Sequence, residues 1–210
     1  MLALCKQLAI VVGMNTITEP KLAPPGAGLP KPELFIGRIL FAVRRWTSDR
    51  DASNARFQAE REVIRRLTRR LDADCAARRV LVRRARGLED SSRNWSVLMT
   101  LDHLRIVHHS MIGIIEALTK GVIPQGTASI AAVKPSPNVT VAVVAAYEES
   151  CDALLAAVAA AADLKTEVRY AHPWFGPLDA AGWHTLAAGH LGIHRVQIER
   201  ILQGLPTARQ

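Results

Sequence analysis

His190 and His194 stand four residues apart in the run covering residues 188–197. On a helix, that spacing stacks two side chains on one face, so two imidazoles enter one small volume. Neutral imidazole binds zinc, nickel, copper and iron, and three protein ligands leave one coordination position for water or substrate. The candidate third ligand is His103, supplied by a neighbouring helix. His108 and His109 follow it by five and six residues, which turns them away from its face. His184 precedes His190 by six and is assigned to the surface. His172 belongs to the loop entering the last helix, within reach of a pocket mouth. Gln197, two turns beyond His190, is placed to hydrogen-bond a ligand histidine or a substrate.

Two further segments carry a resemblance. Trp95-Ser96, with His103 about two turns later, resembles the second-helix signature of the DinB-like superfamily. His172-Pro173-Trp174-Phe175-Gly176-Pro177-Leu178 is similar to the His-Pro-x-Phe-Gly-Pro-Leu segment that precedes the last helix in several of its branches. The resemblance spans roughly residues 55–205. It implies a four-helix bundle and a divalent metal, zinc, nickel or iron, held by His103, His190 and His194. Some members of that superfamily are S-transferases or isomerases that use a low-molecular-weight thiol, whereas many have no established reaction. The resemblance implies no polymerase.

Composition agrees with an all-α fold. The 210 residues suffice for one domain plus an extension, and 49% are hydrophobic while only 5% are aromatic, which favours helices over a sandwich or barrel. Cys5, Cys75 and Cys151 lie far apart with no Cys-x-x-Cys spacing, suggesting neither a disulfide framework nor a zinc ribbon, and a reducing cytoplasm is the expected compartment. No stretch reaches the roughly 18 to 20 apolar residues of a membrane span. Residues 8–14 form only a short apolar run, without the cleavage site of a secretory signal.

Residues 1–33 read as an N-terminal extension ending in a Pro/Gly-rich linker over 20–32 that cannot hold a regular helix. An amphipathic helix is expected within 34–50, where Leu34, Phe35, Ile36, Ile39, Leu40, Phe41, Val43 and Trp46 alternate with Arg38, Arg44 and Arg45. It suits either an anionic membrane surface or packing on a bundle, and packing is the commoner use of such a stripe. The bundle proper occupies 51–206. Its first helix is expected to be capped by Ser53 and to carry Phe57, Ile64, Leu67, Leu71 and Cys75, with Arg61, Arg65, Arg66, Arg69 and Arg70 on the other face.

That arginine row could track phosphates, and the net charge of +8 would favour it. Interspersed Glu60, Glu62, Asp72 and Asp74, and the lack of aromatic residues for base stacking, favour a solvated helix face instead, so nucleic acid is not the expected partner. Residues 87–94 read as a helix stop and restart. Later helices are expected over 95–120, over 139–164 with Asn138 as cap, and from 179 or 180 to 204. The leading expectation is a metal-dependent thiol S-transferase or hydrolase-like enzyme acting on a small molecule. Its rivals are a non-enzymatic metal-binding scaffold and a basic protein associated with membranes or nucleic acid. A two-fold homodimer would suit a bundle of this size.

Overall fold

The computed structural model describes residues 20–206. Cys5 and the apolar run at 8–14 lie outside the described residues. The elements in order are α1 (Lys31–Thr47), α2 (Arg50–Thr68), α3 (Ala73–Ala77), β1 (Val80–Leu81), β2 (Asn94–Trp95), α4 (Val97–Thr119), α5 (Val143–Ala160), β3 (Tyr170–His172), β4 (Gly176–Leu178) and α6 (Ala180–Gly204). Four long helices, α2, α4, α5 and α6, make the bundle, with α4 between α5 and α6 and α2 against α6. Antiparallel pairing of β1 with β2 sets Val80 opposite Trp95, and that of β3 with β4 sets Tyr170 opposite Leu178.

Local chemistry explains where the site-bearing helices begin. Ser96 caps α4 by accepting the Met99 amide at 3.1 Å, and Asp179 caps α6 by accepting the Gly182 amide at 2.8 Å. Along α4 the apolar positions Val97, Leu101, Leu104, Met111, Ile115 and Leu118 are all buried, as their spacing requires. Gly192 lets α2 approach α6, because a Cβ there would lie 2.9 Å from the Glu60 carboxylate. Glu60 in turn binds Arg195 at 2.6 Å.

Several expected boundaries move. The first bundle helix starts before Ser53, because Asp49 accepts the Ala52 amide at 2.8 Å; Ser53 is buried, 3.3 Å from the Thr185 hydroxyl. It ends at Thr68, and Asp72 caps the separate turn α3 that holds Cys75. Cys75 is buried in that turn. Cys151 is a free, buried thiol. Trp95 lies on a strand, not at a helix start. The third bundle helix is shorter than expected at both ends. The helix after the linker begins at Lys31, with Pro32 in its first turn, where a missing N–H leaves no bond unmade.

That helix, α1, buries none of its residues fully. Phe35, Ile36, Ile39, Leu40, Val43 and Trp46 are exposed, Trp46 to 88%. Packing, the favoured use of its apolar stripe, is carried mainly by Phe41 against Phe175, with ring centroids 4.5 Å apart. The remaining attachments are polar: Arg45 to Asp179 at 2.9 Å, Arg38 Nε to the Trp174 carbonyl at 2.6 Å, and the Glu33 carboxylate to Arg84 and to the Gly87 amide.

Two polar groups read as surface are interior. Arg61, part of the arginine row, is only 6% exposed and bonds Glu148 and Asp152 of α5, the latter at 2.6 Å. Burial works against its charge, but Asp152 and Glu148 more than offset that and hold the guanidinium above its usual pKa. His184 is buried rather than at the surface, and burial lowers its pKa to about 4. His108 is buried too; its Nδ1–H donates to Ser150 Oγ at 2.9 Å, and burial lowers it to about 3.

Arg61→Ala should cost about 1–3 kcal/mol in urea unfolding, because it removes a buried guanidinium that bonds Glu148 and Asp152, although Arg65 still binds Glu148 at 2.7 Å. A cost below about 0.5 kcal/mol, the range of ordinary surface changes, would show the pair to be decoration. The histidines set a pH dependence. Their folded pKa values lie below the ordinary 6.5, so the unfolded chain takes up protons first as pH falls. Stability is therefore complete above pH 6.5 and is lost below it, down to about pH 4 for His184 and about pH 3 for His108, at up to about 1.4 kcal/mol per pH unit for each histidine. A urea midpoint that stays level between pH 7 and 5 would contradict this.

Candidate metal centre

Helix α4 brings His103, and α6 brings His190 and His194, to one point inside the bundle. Their ligand nitrogens all lie within 4.8 Å of one another. His190 Nε2 is 3.2 Å from His103 Nε2 and 3.1 Å from His194 Nε2. His103 and His194 are buried, and His190 is partly exposed to the cavity described below. His108, His109, His172 and His184 are not part of the cluster.

Hydrogen bonds on the outer nitrogens define the inner ones. His103 Nδ1 lies 2.6 Å from the Val133 carbonyl, which can only accept, so Nδ1 carries the proton and Nε2 presents a lone pair. His194 Nδ1 lies 2.7 Å from Gln197 Oε1, while Gln197 Nε2 donates to the Ser92 carbonyl at 2.7 Å. The amide is thus oriented with its oxygen toward His194, whose Nε2 is again a lone pair. A neutral His190 can donate one proton from Nε2 and cannot satisfy both neighbours. Three imidazole nitrogens this close fit a cation at their centre, and the donor set is one that a divalent metal accepts.

Burial keeps these rings neutral. It pushes His103 down to about 4, helped by the Lys134 charge and opposed by the Val133 hydrogen bond. His190 and His194 are held well below the ordinary value, by burial first and then by their histidine neighbours. Near neutral pH a cation therefore meets free ligands and does not compete with protons.

The surrounding shell is anchored in sequence-distant loops. Trp95 stacks nearly parallel on His194, with centroids 6.1 Å apart, and lies 5.1 Å from the His103 ring. Lys134 Nζ sits 5.3 Å over the Trp95 ring and donates to Glu89, Ser91 and Ser92 at 2.7, 2.8 and 3.0 Å. Glu89 also accepts the Gly26 and Gly28 amides at 2.9 and 3.1 Å, which ties the linker to the site. Burial would raise the Glu89 pKa, yet Lys134, Ser91 and Gly28 together hold it below the usual carboxylate value. Asp102 accepts the Ser136 amide at 3.1 Å, fixing the segment from which Val133 reaches His103.

Of these residues, His190, His194 and Gln197 follow from the spacing along one helix, whereas His103, on α4, came as a ligand with the resemblance that begins at Trp95. Val133, Asp102, Glu89 and Lys134 were missed, because their role depends on a loop meeting a helix and no periodicity announces it.

Beside the cluster is a cavity of about 1030 Å³, larger than most small-molecule pockets. Its walls come from α1, α4, α6, the β3–β4 hairpin and residues 124–134, and they are mostly apolar. His172 lines it, as expected of a residue near the mouth; burial lowers its pKa to about 4, and its Nδ1 accepts the Trp174 amide at 3.1 Å. The cavity carboxylates, Glu33 and Glu89, are both engaged by cations.

Comparison with known proteins bears on the fold. A solved structure described as TT2238, a four-helix bundle protein, is similar at 22% identity and a TM-score of 0.54, over 72% of this chain and 98% of that one. No curated protein matches the chain. The family model of the DinB superfamily matches residues 56–198, which hold four long helices and all three clustered histidines. This chain belongs to the DinB superfamily.

Proposed function

We propose that the chain holds one divalent metal, zinc, nickel or iron, on His103, His190 and His194, and uses it to activate a low-molecular-weight thiol or water against a small electrophile, as an S-transferase or hydrolase-like enzyme. The observation that carries this reading is the convergence of three Nε2 atoms, two of them fixed as lone pairs by bonds from their own Nδ1. A divalent cation at that point would supply Lewis acidity, enough to ionise water or a thiol near neutral pH.

The chain's own residues supply the rest. Gln197 and Val133 set the rotation of two imidazoles, so the ligands are organised before the cation arrives. Trp95 closes one side of the cluster, while His190, the most accessible of the three, faces the cavity. The apolar walls exclude water from an incoming substrate and strengthen any polar contact made inside.

A non-enzymatic metal-binding bundle is the second reading. Both carboxylates lining the cavity are consumed by ion pairs, so neither stands ready as a general base.

Elemental analysis of the untagged protein tests the metal. About one divalent ion per chain is expected in the wild type and little in His190→Ala/His194→Ala, whereas no uptake by the wild type on zinc or nickel titration would end both readings. Gln197→Ala should weaken metal affinity by about 10- to 100-fold while leaving stoichiometry at saturation unchanged. Metal-dependent consumption of a thiol with an electrophile would separate enzyme from scaffold.

A further inference from the structure

The cavity beside the histidine cluster is not only large and apolar; it also carries cationic groups that the protein leaves unneutralised. Arg44 on α1 and Arg56 on α2 both line it. Neither guanidinium has a hydrogen bond or ion pair among the described residues. The nearest carboxylate that acts on Arg56 is Glu60, and Glu60 is already bonded to Arg195 at 2.6 Å. The two acidic residues of the lining are likewise spent, Glu33 on Arg84 and Glu89 on Lys134. Elsewhere the fold pairs its inward-facing arginines: Arg61, Arg84 and Arg195 each have a carboxylate. Arg56 is half-buried and Arg44 exposed at the cavity's edge, and burial followed by the Arg44 charge lowers the Arg56 pKa, so the two like charges oppose each other in the empty protein.

The space around them is prepared for an apolar body. Gly37 of α1, Gly113 of α4 and Gly189 of α6 all line the cavity, and a Cβ at any of them would meet nothing within 4 Å. Gly189 and the three clustered histidines line the same cavity. Leu34, Phe41, Met111, Ile114, Trp183 and Leu186 contribute the apolar surface.

We propose that this cavity binds an amphipathic anion, an apolar body carrying one carboxylate or phosphate, with the anionic group held between Arg44 and Arg56 and the body lying along Gly189 toward His190. Planar guanidinium donors suit both oxyanions, with Arg56 half-buried beneath and Arg44 exposed above. The assignment rests on the metal-site reading only for what happens at the far end of the ligand; the anion subsite itself needs no metal.

The test measures binding of decanoate, decyl phosphate and neutral 1-decanol to the full chain by calorimetry. The wild type should bind the anions at least about tenfold tighter than decanol, the worth of one charge-assisted contact. Arg44→Gln/Arg56→Gln should erase that preference and leave decanol binding unchanged. His190→Ala/His194→Ala should retain the preference, and Gly189→Leu, which intrudes on the path of the apolar body, should weaken binding of all three at least about tenfold without lowering the melting temperature. Which anion binds more tightly distinguishes a carboxylate from a phosphate ligand. No binding of any probe by the wild type, equal anion preference in the arginine variant, or unaltered binding by Gly189→Leu would overturn the proposal. Loss of the preference in the histidine variant would also overturn it, by placing the anion on the cluster's cation. A protein that takes up no metal yet passes these arms would retain the anion subsite and lose only the metal reading.

Discussion

Three imidazole nitrogens facing one another at hydrogen-bond distance are an electrostatic problem that a protein must solve with a proton or a cation, and two outer hydrogen bonds remove most of the freedom to use protons. The Val133 carbonyl and the Gln197 amide oxygen each fix an Nδ1–H, so two of the three inner nitrogens present only lone pairs. The rest of the site follows from keeping those two acceptors in place. Gln197 is steadied by the Ser92 carbonyl, and Val133 by the Asp102 bond to Ser136. Ser92 and Lys134 then meet through a direct bond of 3.0 Å, which links both supports.

Relative placement of the helices is secured by buried and half-buried charge. Arg61 joins α2 to α5 through Glu148 and Asp152, and Glu60 joins α2 to α6 through Arg195. Such pairs contribute little net stability once desolvation is counted, but a slip along the helix would strand a charge, and that penalty is large. The apolar core provides the driving force; the ion pairs disfavour alternative registers. This matters at the cluster because His103 and His190 come from different helices, and a one-turn slide of about 5.4 Å would separate them.

What the sequence disclosed was whatever obeys a helical period. His190, His194 and Gln197 share one helix, so their mutual geometry is local, and the buried positions of α4 follow from the same arithmetic. His184 and Arg61 were misplaced for a common reason. Spacing assigns a residue to a face, but in a four-helix bundle more than one face of a helix is covered, and a polar type on a covered face is interior if it finds partners or loses its charge. The start of the last helix at 179 or 180 was legible, whereas Ser53 was mistaken for a cap that Asp49 provides. The contacts of Val133, Glu89 and Lys134 cross long sequence gaps through irregular loops. A single sequence carries no signal for such meetings.

Helix α1 illustrates how unevenly the energy is spread. It roofs the cavity without one fully buried residue, and its attachments are a ring contact, a carbonyl contact and partly exposed ion pairs. Exposed ion pairs are typically worth about 0–1 kcal/mol each. The helices below it are joined instead by a continuous apolar core. Few apolar contacts hold α1, so its position over the cavity depends on polar attachments, while α4 and α6, which bear the histidines, are held by the core. Arg44 lies on α1 and Arg56 on the bundle beneath it. An anion held by both would bridge α1 and bundle, adding a contact that the empty protein lacks.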